Sequence, residues 1–393
     1  MLTYVMAGVL LLAFPAAPAA STAPAATSVQ GGLNAVSCPS PGACTSVGFY
    51  VGPAGQVTLA EGWNGTAWQV QSTPNPAGGS DNTLIGVSCG AAGACLAVGS
   101  YFSGHGDSPL AETWNGTSWT LQPVPLPTGA LAGDLVSVSC TSASVCTAVG
   151  YYANSGNANV ALAESWNGTS FTIQKLSPPA GATTSSLDAV SCGPAPATGC
   201  AAEGWYFPPG REIAKTLAEV WNGSAWSIQH PPAPKGAAGG SYPDGVSCGA
   251  ASACTSVGEG INSAGHSVAW AQGWNGTAWA SQAVPKPKGQ VAAILSAVSC
   301  SAAPSSDCTA VGYYSNGTAF ASYSVGWNGT TWAVHKTPEP AGSTAGNLAG
   351  VSCSSPPGTC TAVGSVTNSS GVPVTLAEGW NGTKWTIEKT PVP

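Results

Sequence analysis

The chain has 393 residues but only 9 basic and 16 acidic side chains, a charged fraction of 6 % where ordinary globular proteins carry about 25 %. A net charge of −7 provides no cationic track for nucleic acid. The 15 Trp argue equally against a disordered chain. At the start, Tyr4 to Phe14 form an apolar stretch, too short for a bilayer span of about 20 residues. The small-x-small site Ala17-Pro18-Ala19 follows it. Residues 1–19 therefore read as a signal peptide without the usual basic n-region, and 20–32 as a flexible Ala/Pro/Ser/Thr leader. No later segment is long and apolar enough to cross a membrane, so a secreted protein is expected.

From residue 33 onward the chain repeats. Val-Ser-Cys ends at Cys38, Cys89, Cys140, Cys192, Cys248, Cys300 and Cys353, and Trp-Asn-Gly begins at Trp63, Trp114, Trp166, Trp221, Trp274, Trp327 and Trp380. Seven units, starting near 33, 84, 135, 187, 243, 295 and 348, fill residues 33–393. In the first unit the predicted strands are Leu33–Cys38, Cys44–Tyr50, Thr58–Trp63 and Thr66–Val70. The last two are joined by Asn64-Gly65, read as a two-residue hairpin turn. A Pro-rich connection such as Ser72–Pro76 leads to the next unit, and no segment has helical periodicity. Four-stranded units of this length repeated seven times specify an all-β fold, a seven-bladed β-propeller. The chain runs from a first strand to a fourth strand, so the ring is expected to close by packing of units one and seven, without strand exchange. Pairing of the leader with the last blade would change that.

All 14 Cys fall into pairs at one phase of the repeat: Cys38 with Cys44, Cys89 with Cys95, Cys140 with Cys146, Cys192 with Cys200, Cys248 with Cys254, Cys300 with Cys308 and Cys353 with Cys360. An even count in a secreted chain reads as disulfides, each clamping one hairpin and contributing about 2 kcal/mol. A metal site would need four thiolates in one place, which the ring would keep apart.

The pattern Leu-x-x-Val-Ser-Cys…Cys-Thr-Ala-Val-Gly…Leu-Ala-Glu-x-Trp-Asn-Gly-Thr-x-Trp resembles, over all seven units, the repeats of secreted actinobacterial β-propeller proteins. The resemblance implies fold and secretion, not an activity. The Trp-Asn-Gly-Thr-x-Trp hairpin is also similar to the Asp-box of sialidase-type propellers, sharing Gly65 and Trp68, with Trp63 where that motif has Asp.

Turns between strands 1 and 2 and between strands 3 and 4 share one end of such a disc, and they are uniform here. Loops between strands 2 and 3 share the other end and vary freely, as in Tyr101–Pro109 and Tyr206–Lys215. Function is expected on the variable end. Its candidate ligand-binding residues are Trp205, Tyr206, Arg211, Glu212, Tyr101, Tyr151 and Tyr313, aromatic platforms with adaptable polar neighbours. Strand alternation sends about half of these aromatics into blade interfaces. The fourth unit is the most divergent, with Arg211 and Glu212 in its loop and Glu203 in place of the repeat's Val.

A second set of carboxyls, Glu61, Glu112, Glu164, Glu219 and Glu378, holds one repeat phase, where the remaining units have Gln272 and Val325. With a two-residue turn Glu61 would lie across from Trp68. The favoured reading is structural, each Glu accepting hydrogen bonds at a blade interface. The alternative is a ring of carboxylates for cations or acid–base chemistry.

Other motifs dissolve. Gly86–Gly90 and Gly245–Gly249 spell a nucleophile elbow around Ser88 and Ser247, but the Ser recurs in every unit and no helix follows. Asn-Gly-Thr/Ser reads formally as a glycosylation acceptor, and the turn already accounts for it. His105, His230, His266 and His335 lack ligand spacing, so neither metal nor other cofactor is expected. Sialidase-type hydrolysis needs several arginines, and Arg211 stands alone. A copper site with a Cys–Tyr crosslink needs a spare Cys. The resulting expectation is a monomeric, secreted binding module for polysaccharide or cell-surface protein. The alternative is an extracellular glycan hydrolase or lyase with an acidic site near the axis, drawn from Asp107, Glu212, Asp244 and Glu259.

Overall fold

The computed structural model describes residues 29–177, 179–193, 199–250, 252–301, 307–354 and 358–393. The expected signal peptide and the leader up to residue 28 lie outside them. The described residues form seven four-stranded antiparallel sheets, each a simple meander of consecutive strands. Together they make a seven-bladed β-propeller. Blade 1 comprises Gly31–Ser40, Ala43–Gly52, Gly55–Trp63 and Trp68–Gln71. Blade 7 comprises Ala345–Ser354, Thr359–Thr367, Pro373–Trp380 and Trp385–Glu388. First strands begin two to four residues before the unit starts read from the repeat, so Gly31 and Gly32, assigned above to the leader, pair with Tyr50 and Phe49. No described helix is long and apolar enough to cross a membrane.

Each blade buries apolar side chains against its neighbour, giving one cluster per junction. Between blades 1 and 2, Val47 and Ala60 meet Leu84, Val87, Ala97, Leu110 and Trp119. Between blades 7 and 1, Val363 and Ala377 meet Leu33, Val36, Leu59 and Trp68. The ring thus closes by packing, each sheet holding only its own strands. A disulfide bridges the first two strands of every blade, with Cα atoms 3.9–4.1 Å apart.

The Ser of Val-Ser-Cys finds its role at these junctions. Its hydroxyl accepts the amide N–H of the disulfide Cys one blade further on. Ser37 serves Cys89, Ser88 serves Cys140, Ser139 serves Cys192, Ser191 serves Cys248, Ser247 serves Cys300 and Ser299 serves Cys353, at 2.9–3.0 Å. Ser352 completes the circle on Cys38 at 2.9 Å. A second clasp lies further out, where the buried Trp of a fourth strand donates its Nε1–H to the end of the preceding fourth strand. Trp119 reaches Gln71, Trp226 reaches Gln174, Trp332 reaches Gln282 and Trp68 reaches Glu388, each at 2.9 Å.

Two registers differ from the sequence reading. The Asn-Gly hairpin is a four-residue turn, not a two-residue one. Asn64 Oδ1 accepts from the amides of Thr66 and Ala67 at 3.0 Å and from the Thr66 hydroxyl at 2.8 Å, while Gly65 adopts φ +93°. Trp63 therefore pairs with Trp68, and Glu61 pairs with Val70 instead of Trp68. Every first strand also carries a bulge after its Leu or Pro, skipping Asn34 in blade 1, Asp188 in blade 4 and Asp244 in blade 5. The bulge pushes a carbonyl against the Gly of the next strand: a Cβ on Gly150 would run into the Asp134 carbonyl oxygen. This explains the recurring Val-Gly.

Removing one junction bond leaves a buried amide unpaired, a loss of about 1–3 kcal/mol. Ser88→Ala should lower the urea midpoint accordingly while the far-ultraviolet spectrum stays unchanged. Ser→Ala substitutions without effect on the midpoint would deny the hydroxyl a role in holding the ring.

Candidate functional site at the axial mouth

First strands pack side by side around the axis, and the loops between second and third strands crowd one end of it. The residue after the recurring Gly of each second strand stands beside this end. It is Phe49, Ser100, Tyr151, Trp205, Glu259, Tyr313 and Ser365 from blade 1 to blade 7. Its fixed strand position and changing chemistry mark it as diversified on a rigid frame.

Carboxyls from the first strands complete the mouth. Asp134 is buried and accepts the Tyr151 hydroxyl. Burial raises its pKa to about 6, with Asp107 adding to the rise while the hydrogen bonds from Tyr151 and Ser100 oppose it. Asp188 accepts the Ser186 hydroxyl at 2.5 Å. Burial lifts it to about 6 against the hydrogen bonds from Ser186 and Trp205. Asp244 is held well above the ordinary range by burial and then by the charges of Glu259 and Asp188. Glu259, raised by burial, accepts the Ser267 hydroxyl. The Trp205 and Tyr242 rings meet edge-on across blades 4 and 5, centroids 6.2 Å apart. Tyr313 packs edge-on against Phe320 at 5.7 Å, its hydroxyl pushed up to about 12 by burial and by Glu259 and Asp244. Blades 4 to 6 thus present aromatic rings interleaved with carboxyls whose pKa values burial raises. A carboxyl both donates and accepts hydrogen bonds when protonated and only accepts when ionised. Among the described residues no group of three or more His, Cys, Asp or Glu is placed to hold a metal ion.

The structure divides the expected site residues. Tyr151, Trp205 and Tyr313 come together at the mouth. Tyr101 and Tyr206, one residue further along their strands, face the other way and pack into the cores between blades 1 and 2 and between blades 3 and 4. Arg211 and Glu212 stand exposed on the loop of blade 4. Of the acidic alternatives, Asp244 and Glu259 interact electrostatically, whereas Asp107 acts on Asp134 and Tyr151. Asp134, Asp188 and Tyr242 were not singled out in the sequence. The signal for Asp188 was there: it shares a repeat phase with Asn34, Ile85, Val136, Asp244, Ser296 and Ala349, so a charge at that phase is a local departure.

The second carboxyl set lies elsewhere. Glu61, Glu112, Glu164, Glu219 and Glu378 are at most 1 % exposed within the junction cores. None of their carboxyl oxygens receives a hydrogen bond, contrary to the expectation that they act as acceptors. Burial raises Glu219 to about 7 and the other four to about 8, with Glu339 adding to the rise at Glu378. At neutral pH Glu61, Glu112, Glu164 and Glu378 are therefore held mainly as neutral acids, and Glu219 is divided between the two forms. At the same phase Gln272 donates its amide to the Pro232 carbonyl at 2.7 Å, and Val325 is fully buried. The site accepts an apolar group or a neutral donor. Glu203 of blade 4 is buried too, accepting the Ser256 hydroxyl of blade 5. The folded chain binds more protons at these Glu than the unfolded chain between pH about 4.5 and about 8. Stability must then fall as pH rises through that window. Calorimetry should find a lower Tm at pH 8 than at pH 5, and converting Glu61, Glu112, Glu164 and Glu378 to Gln should flatten the slope. A Tm that climbs with pH would contradict the assignment.

No protein-family model matches the sequence, and no curated protein matches it. Solved structures do. An ulvan lyase, described as a new family of polysaccharide lyase, superposes with TM-score 0.55 over 92 % of this chain and 96 % of its own, at 10 % identity. The lectin SapL1, solved with alpha methyl fucoside, aligns with TM-score 0.45 over 79 % of this chain and 97 % of its own, at 14 % identity. The likeness to the ulvan lyase is one of fold.

Proposed function

We propose that this propeller is a secreted glycan-binding module whose ligand sits on the axial mouth. The observation that carries this reading is the meeting of Tyr151, Trp205 and Tyr313 with Asp188, Asp244 and Glu259 on the diversified end of an otherwise uniform disc. Rigid aromatic faces suit the apolar faces of sugar rings, and carboxyls suit hydroxyls, which both donate and accept. The seven disulfides support passage through an oxidising compartment. Low surface charge favours an uncharged polysaccharide over an ionic one.

A second reading has one specific support. Burial and then the nearby charge of Glu259 raise Asp244, and unequal environments are the usual basis for dividing acid and base roles between two carboxyls. On that reading the mouth would hydrolyse or eliminate within a glycan.

A glycan array followed by titration calorimetry tests both. Trp205→Ala should weaken binding of array-positive glycans at least tenfold, with Tm nearly unchanged. Array binding indifferent to Trp205→Ala and Tyr313→Ala would remove the mouth from consideration. New reducing ends or unsaturated products, lost in Glu259→Gln, would favour catalysis.

A further inference from the structure

The opposite, uniform end of the disc carries clefts of its own. Between blades 1 and 2 a cleft of about 350 Å³ lies among Thr45, Gly62, Gln69, Gln71 and Trp114. Between blades 7 and 1 a cleft of about 230 Å³ lies among Ser354, Thr361, Gly379, Glu388 and Trp63. The same repeat positions build both. In each, a partly exposed indole is braced by the buried Trp of its own hairpin, Trp114 by Trp119 and Trp63 by Trp68, with centroids 5.5 Å apart. The bracing Trp is in turn held by Gln71 or Glu388 across the cleft at 2.9 Å. The indole is therefore a fixed platform.

Two features show what such a platform accepts. Gly62 and Gly379 precede the Trp of their strands, and a Cβ there would collide with the side chain of Gln71 or Glu388. Blades 2, 3 and 4 have Thr113, Ser165 and Val220 at this position, which put side-chain atoms into the same space. The junction between blades 6 and 7 is already filled. There His335 holds the position of Gln71 and Glu388, and its ring stacks flat on Trp380, centroids 4.4 Å apart and planes 7° from parallel. The chain itself thus places a flat, amphipathic ring on this platform.

We propose that the clefts between blades 1 and 2 and between blades 7 and 1 each bind one pyranose ring of a neutral glycan. The ring lies face to face with the Trp114 or Trp63 indole, as His335 lies on Trp380, with its hydroxyls toward Gln69 and Gln71 or toward Glu388. The cleft between blades 1 and 2 holds no charged side chain and the other holds Glu388 alone; each is apolar on the indole side and polar on the other, which is the division of a sugar between face and rim. These sites stand whether or not the mouth binds. With the mouth occupied as well, one molecule would hold glycan at both ends of the disc and bridge separate chains, gaining avidity without new contacts.

The test uses the full chain with the methyl glycosides of glucose, galactose, mannose and fucose, followed by calorimetry and saturation-transfer NMR. At least one glycoside should bind with a stoichiometry of two or more. Gln71→His with Glu388→His, copying the stacked junction, should remove two equivalents, while Trp205→Ala leaves them in place. His335→Gln, which unstacks Trp380, should add one equivalent, and it keeps the test valid if the double variant melts early. Unchanged stoichiometry in both sets of variants, or no glycoside bound outside the mouth, overturns the proposal. Indifference to Trp205→Ala alone counts against the mouth and not against the clefts.

Discussion

A hydroxyl on one blade bonded to the disulfide amide of the next sets the phase of the whole ring. This protein has no single core. Its apolar side chains are distributed among seven junctions, and each works only if two blades meet in the right register. Apolar contact is non-directional and would tolerate sliding. The Ser–Cys bonds are directional, and they sit on first strands near the axis, where a small angular error would grow outward. The disulfide holds the donating Cys at a fixed height in its own hairpin, so covalent and hydrogen-bonded restraints act on the same residue. Further out, the indole clasp on Gln71, Gln174, Gln282 or Glu388 repeats the restraint at the rim.

That division of labour explains the composition. A blade flanked on both faces by other blades has little surface to charge, and the polar side chains it keeps are those that align it. The buried Glu set belongs to this economy of polarity: as neutral acids they cost far less to bury than carboxylates would, and Gln272 and Val325 show the same space filled by an amide and by a methyl pair. The carboxyls of the axial mouth lie at the bulges and toward the ends of second strands, where the sheet is least regular.

The blade count, the strand order and the disulfide pairs were legible because each is repeated seven times. The turn was misread because Asn-Gly is the usual mark of a two-residue hairpin, and nothing in the letters shows that Asn64 will cap two amides with its side chain. That error shifted the register by two and placed Glu61 beside Trp68. The bulges were invisible to alternation, which hid Asp188 and left Asp244 read as a loop residue instead of a first-strand one. Alternation did foresee that consecutive aromatics would part company. Which member of each pair would reach the mouth depended on the Val-Gly step, and so Tyr151, Trp205 and Tyr313 went one way and Tyr101 and Tyr206 the other.

Six of the seven junctions are crossed by the polypeptide itself, and the seventh is not. Among the described residues, blades 7 and 1 are joined by the Ser352–Cys38 bond, the Trp68–Glu388 clasp, the contact of Cys44 with Thr361 and their shared apolar cluster. Elsewhere a parted pair of blades stays tethered at high effective concentration and re-forms readily; at this seam non-covalent contacts do the joining. Because each blade owns all four of its strands, the seam could be moved to any other junction by reconnecting the chain, without altering one strand pairing.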